Sequence, residues 1–171
     1  MSLQSTVSES KRTEPMQPRV NAANVSPEPQ KGLFAIGKYL AECGLEPGLQ
    51  ELVKIRASQI NGCAYCLDMH TKDARAGGET EQRIYALGAW RETPFFTQRE
   101  RAALAWTEAV TLIPGGVSDE LYEQTREEFS EKELVDLTWA VAAINAWNRM
   151  AISFRAVPGS YKAKTPAHAP R

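Results

Sequence analysis

Residues 49–79 read LQELVKIRASQINGCAYCLDMHTKDARAGGE, and the rest of the chain is best read outward from them. Leu52, Ile55 and Gln59 lie near one stripe of a 3.6-residue period, which predicts a helix over about 49–60. Asn61-Gly62 is a strong turn signal, and a second helix is expected to begin around Cys63 and to stop at Gly77-Gly78. The stretch is thus helix, tight turn, helix, with no strand leading into the cysteines.

The flanking sequence continues in the same period. Upstream, from Lys31, Leu33, Ile36, Gly37 and Leu40 share one side until Gly44, Pro47 and Gly48 interrupt it. Downstream, Thr80 can cap a helix carrying Ile84, Ala86 and Leu87, which Pro94 ends. Thr97 with Glu100, and Ser130 with Glu133, fit the capping box, in which each side chain satisfies an otherwise orphaned backbone donor. These boxes open helices over about 99–112 and 131–154, with a shorter one over 119–129 between them. No stretch alternates with a two-residue period between hairpin turns, and Ala, Leu, Glu, Gln and Arg dominate, so the class is all-α: a compact bundle of six or seven helices. The helix over 131–154 is apolar nearly all round, which predicts a place at the centre of the bundle together with a face against another subunit.

Composition narrows the function classes. A chain of 171 residues suits one domain with a core large enough to need no metal or disulfide staple. Residues 1–28, rich in Ser, Pro, Gln and charge, are expected to form a flexible arm, and 29–171 a single helical redox domain. The balance of 20 Lys plus Arg against 21 Asp plus Glu argues against nucleic-acid binding. Asp136, Asn145, Asn148 and Arg149 interrupt the longest apolar stretch, so no membrane span is expected. Three cysteines do not make a secreted disulfide framework, and no apolar signal segment opens the chain, which makes the cytoplasm the expected location.

The chemistry is expected on one helical face. Cys63 and Cys66 are three residues apart, Cys66 and His70 four, and Cys63 and His70 two turns. A thiolate at a helix start faces free amides and the positive end of the macrodipole, which lowers a thiol pKa from about 8.5. A neighbouring histidine relays the proton, and a second thiol one turn away can resolve a sulfenic acid before it oxidises further. If the two helices form an antiparallel hairpin, Glu51, about ten residues before the turn, lies beside His70 or Lys72 and can orient the imidazole.

The ordered run Glu51, Cys63, Cys66 and His70 in a small helical chain resembles the alkylhydroperoxidase D family, within the carboxymuconolactone decarboxylase superfamily. The motif covers roughly residues 49–79, and the helical layout agrees over about 31–154. The resemblance implies an alkylhydroperoxidase D-like fold assembled as a homo-oligomer, a trimer or hexamer, that reduces hydroperoxides through thiols. It implies Cys66 as the peroxide-attacking thiol, Cys63 as the resolving one, Glu51 and His70 as the proton relay, and a dithiol reductant of dihydrolipoyl type. Neither cofactor nor metal is implied. One departure stands out: the better-known peroxidases of the family carry a histidine inside the cysteine pair, where this chain has Tyr65.

Other readings compete. A zinc site needs four ligands and finds only Cys43 and His168 besides the pair and His70. A thioredoxin-like pair needs a preceding strand where helix is expected. Both thiols can be inert core residues, the preferred account for Cys43. Trp90, Trp106, Trp139 and Trp147 read as core or interface, Phe95 and Phe96 as loop anchors, and Lys54, Arg56, Lys72 and Arg75 as solvated faces. The alternative to an enzyme is an oligomeric redox-sensing or small-molecule-binding protein whose pair oxidises without turnover.

Overall fold

Pro47 and Gly62 delimit the helix on which the molecule is assembled. The structure, a computed structural model, describes residues 15–163. Among them are eight α-helices and no strand: α1 (Ala22–Val25), α2 (Pro27–Glu42), α3 (Pro47–Asn61), α4 (Ala64–Ala76), α5 (Glu81–Ala86), α6 (Gln98–Thr111), α7 (Asp119–Glu128) and α8 (Glu131–Ser153). Short 3-10 turns follow α5 at Leu87–Glu92 and α6 at Ile113–Gly115. The seven longer helices are the expected ones, and the eighth is the single turn α1, capped by the Asn21 side chain.

Both capping boxes form, at Thr97 and at Ser130. The N-terminal boundary differs from expectation. Helix α2 starts at Pro27, so a division between residues 28 and 29 cuts through its first turn. A Ser-Pro-Glu-Pro run reads as loop by composition, yet a proline at the first helical position has the right φ and loses no hydrogen bond. Arg19 is tied down as well, its backbone N–H donating to Phe154 O at 3.0 Å and its guanidinium to Ser153 O at 2.9 Å. Residues 1–14, where the rest of the expected arm falls, lie outside the described residues, as does His168.

Helix α3 holds the central position, packed by α4, α6 and α8. It buries Leu49, Val53 and Ala57 but also the polar Gln50 and Ser58, which is why its amphipathic pattern understates its burial. The Gln50 amide donates to Leu40 O and Leu45 O. Helix α8, expected at the centre, shares the core through Leu134, Leu137, Val141 and Ile144 and keeps an outward stripe, Val135 being 57% and Trp139 51% exposed. One cluster joins Leu49, Val53, Trp106, Phe129 and Leu137; another joins Leu52, Ile55, Leu87, Trp90, Phe96 and Leu104. Each such side chain, fully buried, contributes about 1.5–3 kcal/mol against the entropy of ordering the chain. Trp139 therefore lies outside the core, while Trp90 and Phe96 lie within it.

Candidate functional site

The α3–α4 turn needs a residue that accepts a left-handed backbone. Gly62 supplies it at φ 70°, and its N–H closes α3 on Gln59 O and Ser58 O. The next N–H, of Cys63, donates to Ser58 O at 3.0 Å. Cys63 then caps α4, its sulfur accepting from Cys66 N–H at 3.3 Å. The two cysteines are joined as a disulfide with a Cα–Cα separation of 5.4 Å. Both are buried, at 1% and 2% exposure, against Ala57 and Ile144, with Tyr65 and Trp147 partly covering them.

A polar net behind the turn holds it in place. The Asn61 amide donates to Asn145 Oδ1 at 2.9 Å and to Asn148 Oδ1 at 2.8 Å. Asn148, fully buried, donates to Ser58 Oγ, and Asn145 to Thr111 Oγ1 and Val141 O. Two of the residues that break the apolar run of α8, Asn145 and Asn148, are thus the clamp on the cysteine-bearing turn.

On the other side of the disulfide the hairpin brings Glu51 to His70, not to Lys72. His70 Nδ1 lies 2.9 Å from Glu51 Oε2, and Lys54 Nζ lies 2.7 Å from Glu51 Oε1. Burial pushes the Glu51 carboxyl up, but the hydrogen bond from His70 and the Lys54 ammonium outweigh it, and the net shift is downward. Glu51 is therefore an anion that accepts the Nδ1 proton, which leaves Nε2 of the buried imidazole for chemistry. Lys54 is part of the site, not a solvated residue. Arg56 likewise pairs with Glu108, and Lys72 with Asp68.

Two further residues carried no motif and were not anticipated. Asp73 follows His70 by three positions on α4, and one ligand-type atom each from Glu51, His70 and Asp73 lies within 4.8 Å of the others. Tyr161, from the segment after α8, donates its hydroxyl to Asp73, with contacts of 2.7 and 3.0 Å to the two oxygens. Lys72 Nζ donates to Tyr161 O and Gly159 N–H to Asp68 Oδ2, which lays this segment along α4. The spacing of Asp73 from His70 was visible; Tyr161, 88 residues from Asp73, sits in a stretch with no period. The carboxylates of the trio already have donors in Lys54 and Tyr161, so the cluster is hydrogen-bonded as it stands.

The site opens on a cavity of about 1190 Å³ lined mainly by apolar side chains, among them Leu40, Met69, Ile144, Trp147 and Met150. Cys66, His70, Glu51 and Tyr65 line it as well, and of the two cysteines it is Cys66 that lines it. Cys43 stands apart at the end of α2, its thiol donating to Leu40 O.

The chain is 48% identical over 139 residues to the uncharacterized protein YdfG of Bacillus subtilis, covering 81% of this chain and 95% of that one. The profile of the carboxymuconolactone decarboxylase family matches residues 27–109, which include α3, α4 and all four motif residues. The chain belongs to the carboxymuconolactone decarboxylase family. Its fold is that of the alkylhydroperoxidase D-like members. It is similar to ATU0492 of Agrobacterium tumefaciens, a protein of unknown function provisionally assigned to antioxidant defence as AhpD, with a TM-score of 0.81 and 44% identity over 85% of this chain and all of that one. The alkylhydroperoxidase AhpD core of an uncharacterized peroxidase-related protein from Ralstonia eutropha shares the fold at a TM-score of 0.73 and 23% identity, over 84% of this chain and 77% of that one. In this family member, no described helix is long and apolar enough to cross a membrane.

Proposed function

We propose that this chain is a thiol-dependent peroxidase that reduces organic hydroperoxides and is recycled by a dithiol. The observation that carries the reading is the pairing of Cys63 with Cys66 at the head of α4, with Cys66 facing an apolar cavity beside the Glu51–His70 pair. In the reduced protein, the Cys66 thiolate attacks the terminal oxygen of the hydroperoxide. The O–O bond breaks, the alcohol leaves with the proton that His70 took from Cys66, and Cys66 becomes a sulfenic acid. Cys63 attacks that sulfur, water departs with the Cys63 proton, and the disulfide forms. A dithiol, for which dihydrolipoyl groups are the natural class, returns two electrons and restores both thiols.

The exposed Val135 and Trp139 support the further reading that copies of the chain assemble through α8 as a trimer or hexamer, which light scattering behind a sizing column reads directly. A cytoplasmic setting, where dithiol reductants are maintained, fits the cycle.

The test is steady-state turnover of cumene or lipid hydroperoxide with a dihydrolipoyl donor, alongside intact mass after a single peroxide addition. Turnover with a two-hydrogen mass loss, both abolished in Cys66→Ser, is the expected result. A Cys66→Ser protein that still turns over removes Cys66 as nucleophile. Stoichiometric oxidation without turnover supports the sensor reading, to which Tyr65 in place of a relay histidine lends some weight.

A further inference from the structure

The sulfurs and the imidazole are almost sealed, His70 being 8% exposed, yet the reductive half of the cycle draws protons from water. A dithiol attacks as its thiolate, having left its proton in solution. That thiolate attacks the sulfur of Cys66, the cysteine that lines the cavity, the Cys63–Cys66 bond breaks, and the bonding pair leaves on Cys63. The donor's second thiolate then closes on its first sulfur, Cys66 departs with the electron pair, and the Cys63 and Cys66 thiolates each take one proton, both drawn from solution by way of His70. Two electrons have reached the protein, and the imidazole must be reprotonated from outside.

Resting on the peroxidase reading of the same site, we propose that Asp73 is the proton entry of the redox centre and that Tyr161 is the residue that positions it. Asp73 is half-buried, lines the cavity, and lies one turn beyond His70 with an oxygen within 4.8 Å of both the imidazole and Glu51. A gap of that size is spanned by one hydrogen-bonded water. On its outer side Asp73 meets the Tyr161 hydroxyl. Burial, the hydrogen bond to Asp73, and the negative charges of Asp73 and Glu51 push that phenol up to about 12, so it remains a donor at every physiological pH. Tyr161 is itself held from behind by Lys72. The carboxylate is therefore kept at one distance from His70 by a phenol that stays protonated near neutrality, and it is the carboxylate of the cluster that contacts the segment after α8. Glu51 is less suited to the task, because Lys54 and His70 take up both its oxygens.

The experiment follows reduction of the disulfide by dithiothreitol in stopped flow, a half-reaction that runs whether or not the chain is a peroxidase. It compares wild type, Asp73→Asn, Asp73→Glu and Tyr161→Phe at low buffer and with rising imidazole. The expected result is slowing on the order of 10-fold in Asp73→Asn at low buffer. Small diffusible acids restore that rate, Tyr161→Phe shows a smaller defect of the same kind, and Asp73→Glu is close to wild type. Wild-type reduction is expected to be insensitive to imidazole. Thermal melts identify any variant that is unfolded; Tyr161→Phe, which removes one oxygen, then carries the test. Undiminished rates at low buffer in Asp73→Asn and Tyr161→Phe overturn the proposal, as does a defect that imidazole does not relieve. Absence of peroxide turnover in the wild type, with its reductive half-reaction and the Asp73 dependence of that half-reaction as expected, counts against the peroxidase reading alone.

Discussion

Two polar clusters flank the Cys63–Cys66 disulfide, and they are built from different chemistry. Behind the turn, Asn61, Asn145, Asn148, Ser58 and Thr111 join α3, α6 and α8 through amides and hydroxyls, none of which changes charge in the physiological range. In front of it, Lys54, Glu51, His70, Asp73 and Tyr161 are all ionisable. On the peroxidase reading, breaking the neutral net should cost stability and leave proton handling alone, and breaking the ionisable net should do the reverse. On that reading, holding the sulfurs and serving them fall to different residues, of which only the ionisable set includes residues that line the cavity.

The largest expected effect that tests this division is Glu51→Gln. The isostere keeps an acceptor for Nδ1 but loses the charge that orients and supports the imidazole, so peroxide turnover should fall on the order of 100-fold. Its melting temperature should move little, and a large fall in melting temperature with unchanged turnover would merge the two clusters into one structural unit. Next is Asn148→Ala, which leaves Ser58 and Asn61 short of partners at a fully buried position. It should cost about 2–3 kcal/mol in urea unfolding, with the rate per folded molecule nearly kept.

The smallest effect lies away from both clusters and serves as their reference. Glu133, in the Ser130 capping box, is lowered from an ordinary 4.5 to about 2, by the Ser130 backbone and side-chain hydrogen bonds and then by Arg99. Its folded value is depressed, so its contribution is present above the unfolded value and is lost as pH falls from about 4.5 through about 2. Glu133→Gln should flatten stability against pH within that window and lower it at neutrality, where the contribution is fully present, while matching wild type below about pH 2; a variant as stable as wild type at neutral pH would contradict this assignment.

The sequence showed most where the physics is local. Thr97–Glu100 and Ser130–Glu133 announce helix starts within four residues, and Cys63, Cys66 and His70 share a face by period alone. Glu51 needed one tertiary step, the hairpin, whose geometry a turn signal already fixes. Pro27 was obscured because proline marks both loops and first helical turns. The central place of α3 was obscured by Gln50 and Ser58, polar residues whose burial depends on partners elsewhere. Tyr161 was out of reach, since its partnership with Asp73 is set by where a period-free segment returns after 23 residues of α8. Likewise, Asn145 and Asn148 read only as interruptions of an apolar helix until Asn61 was placed opposite them.

Cys63 does double duty as the capping residue of α4, a position usually held by a hydroxyl or a carboxylate. A sulfur engaged in a disulfide is a weak acceptor for the Cys66 amide, whereas a released thiolate is a strong one. On the proposed cycle, reduction would therefore tighten the first turn of α4 for as long as Cys63 is a thiolate. In that cycle, main-chain hydrogen bonding would favour Cys63 as the group that leaves when the disulfide is attacked.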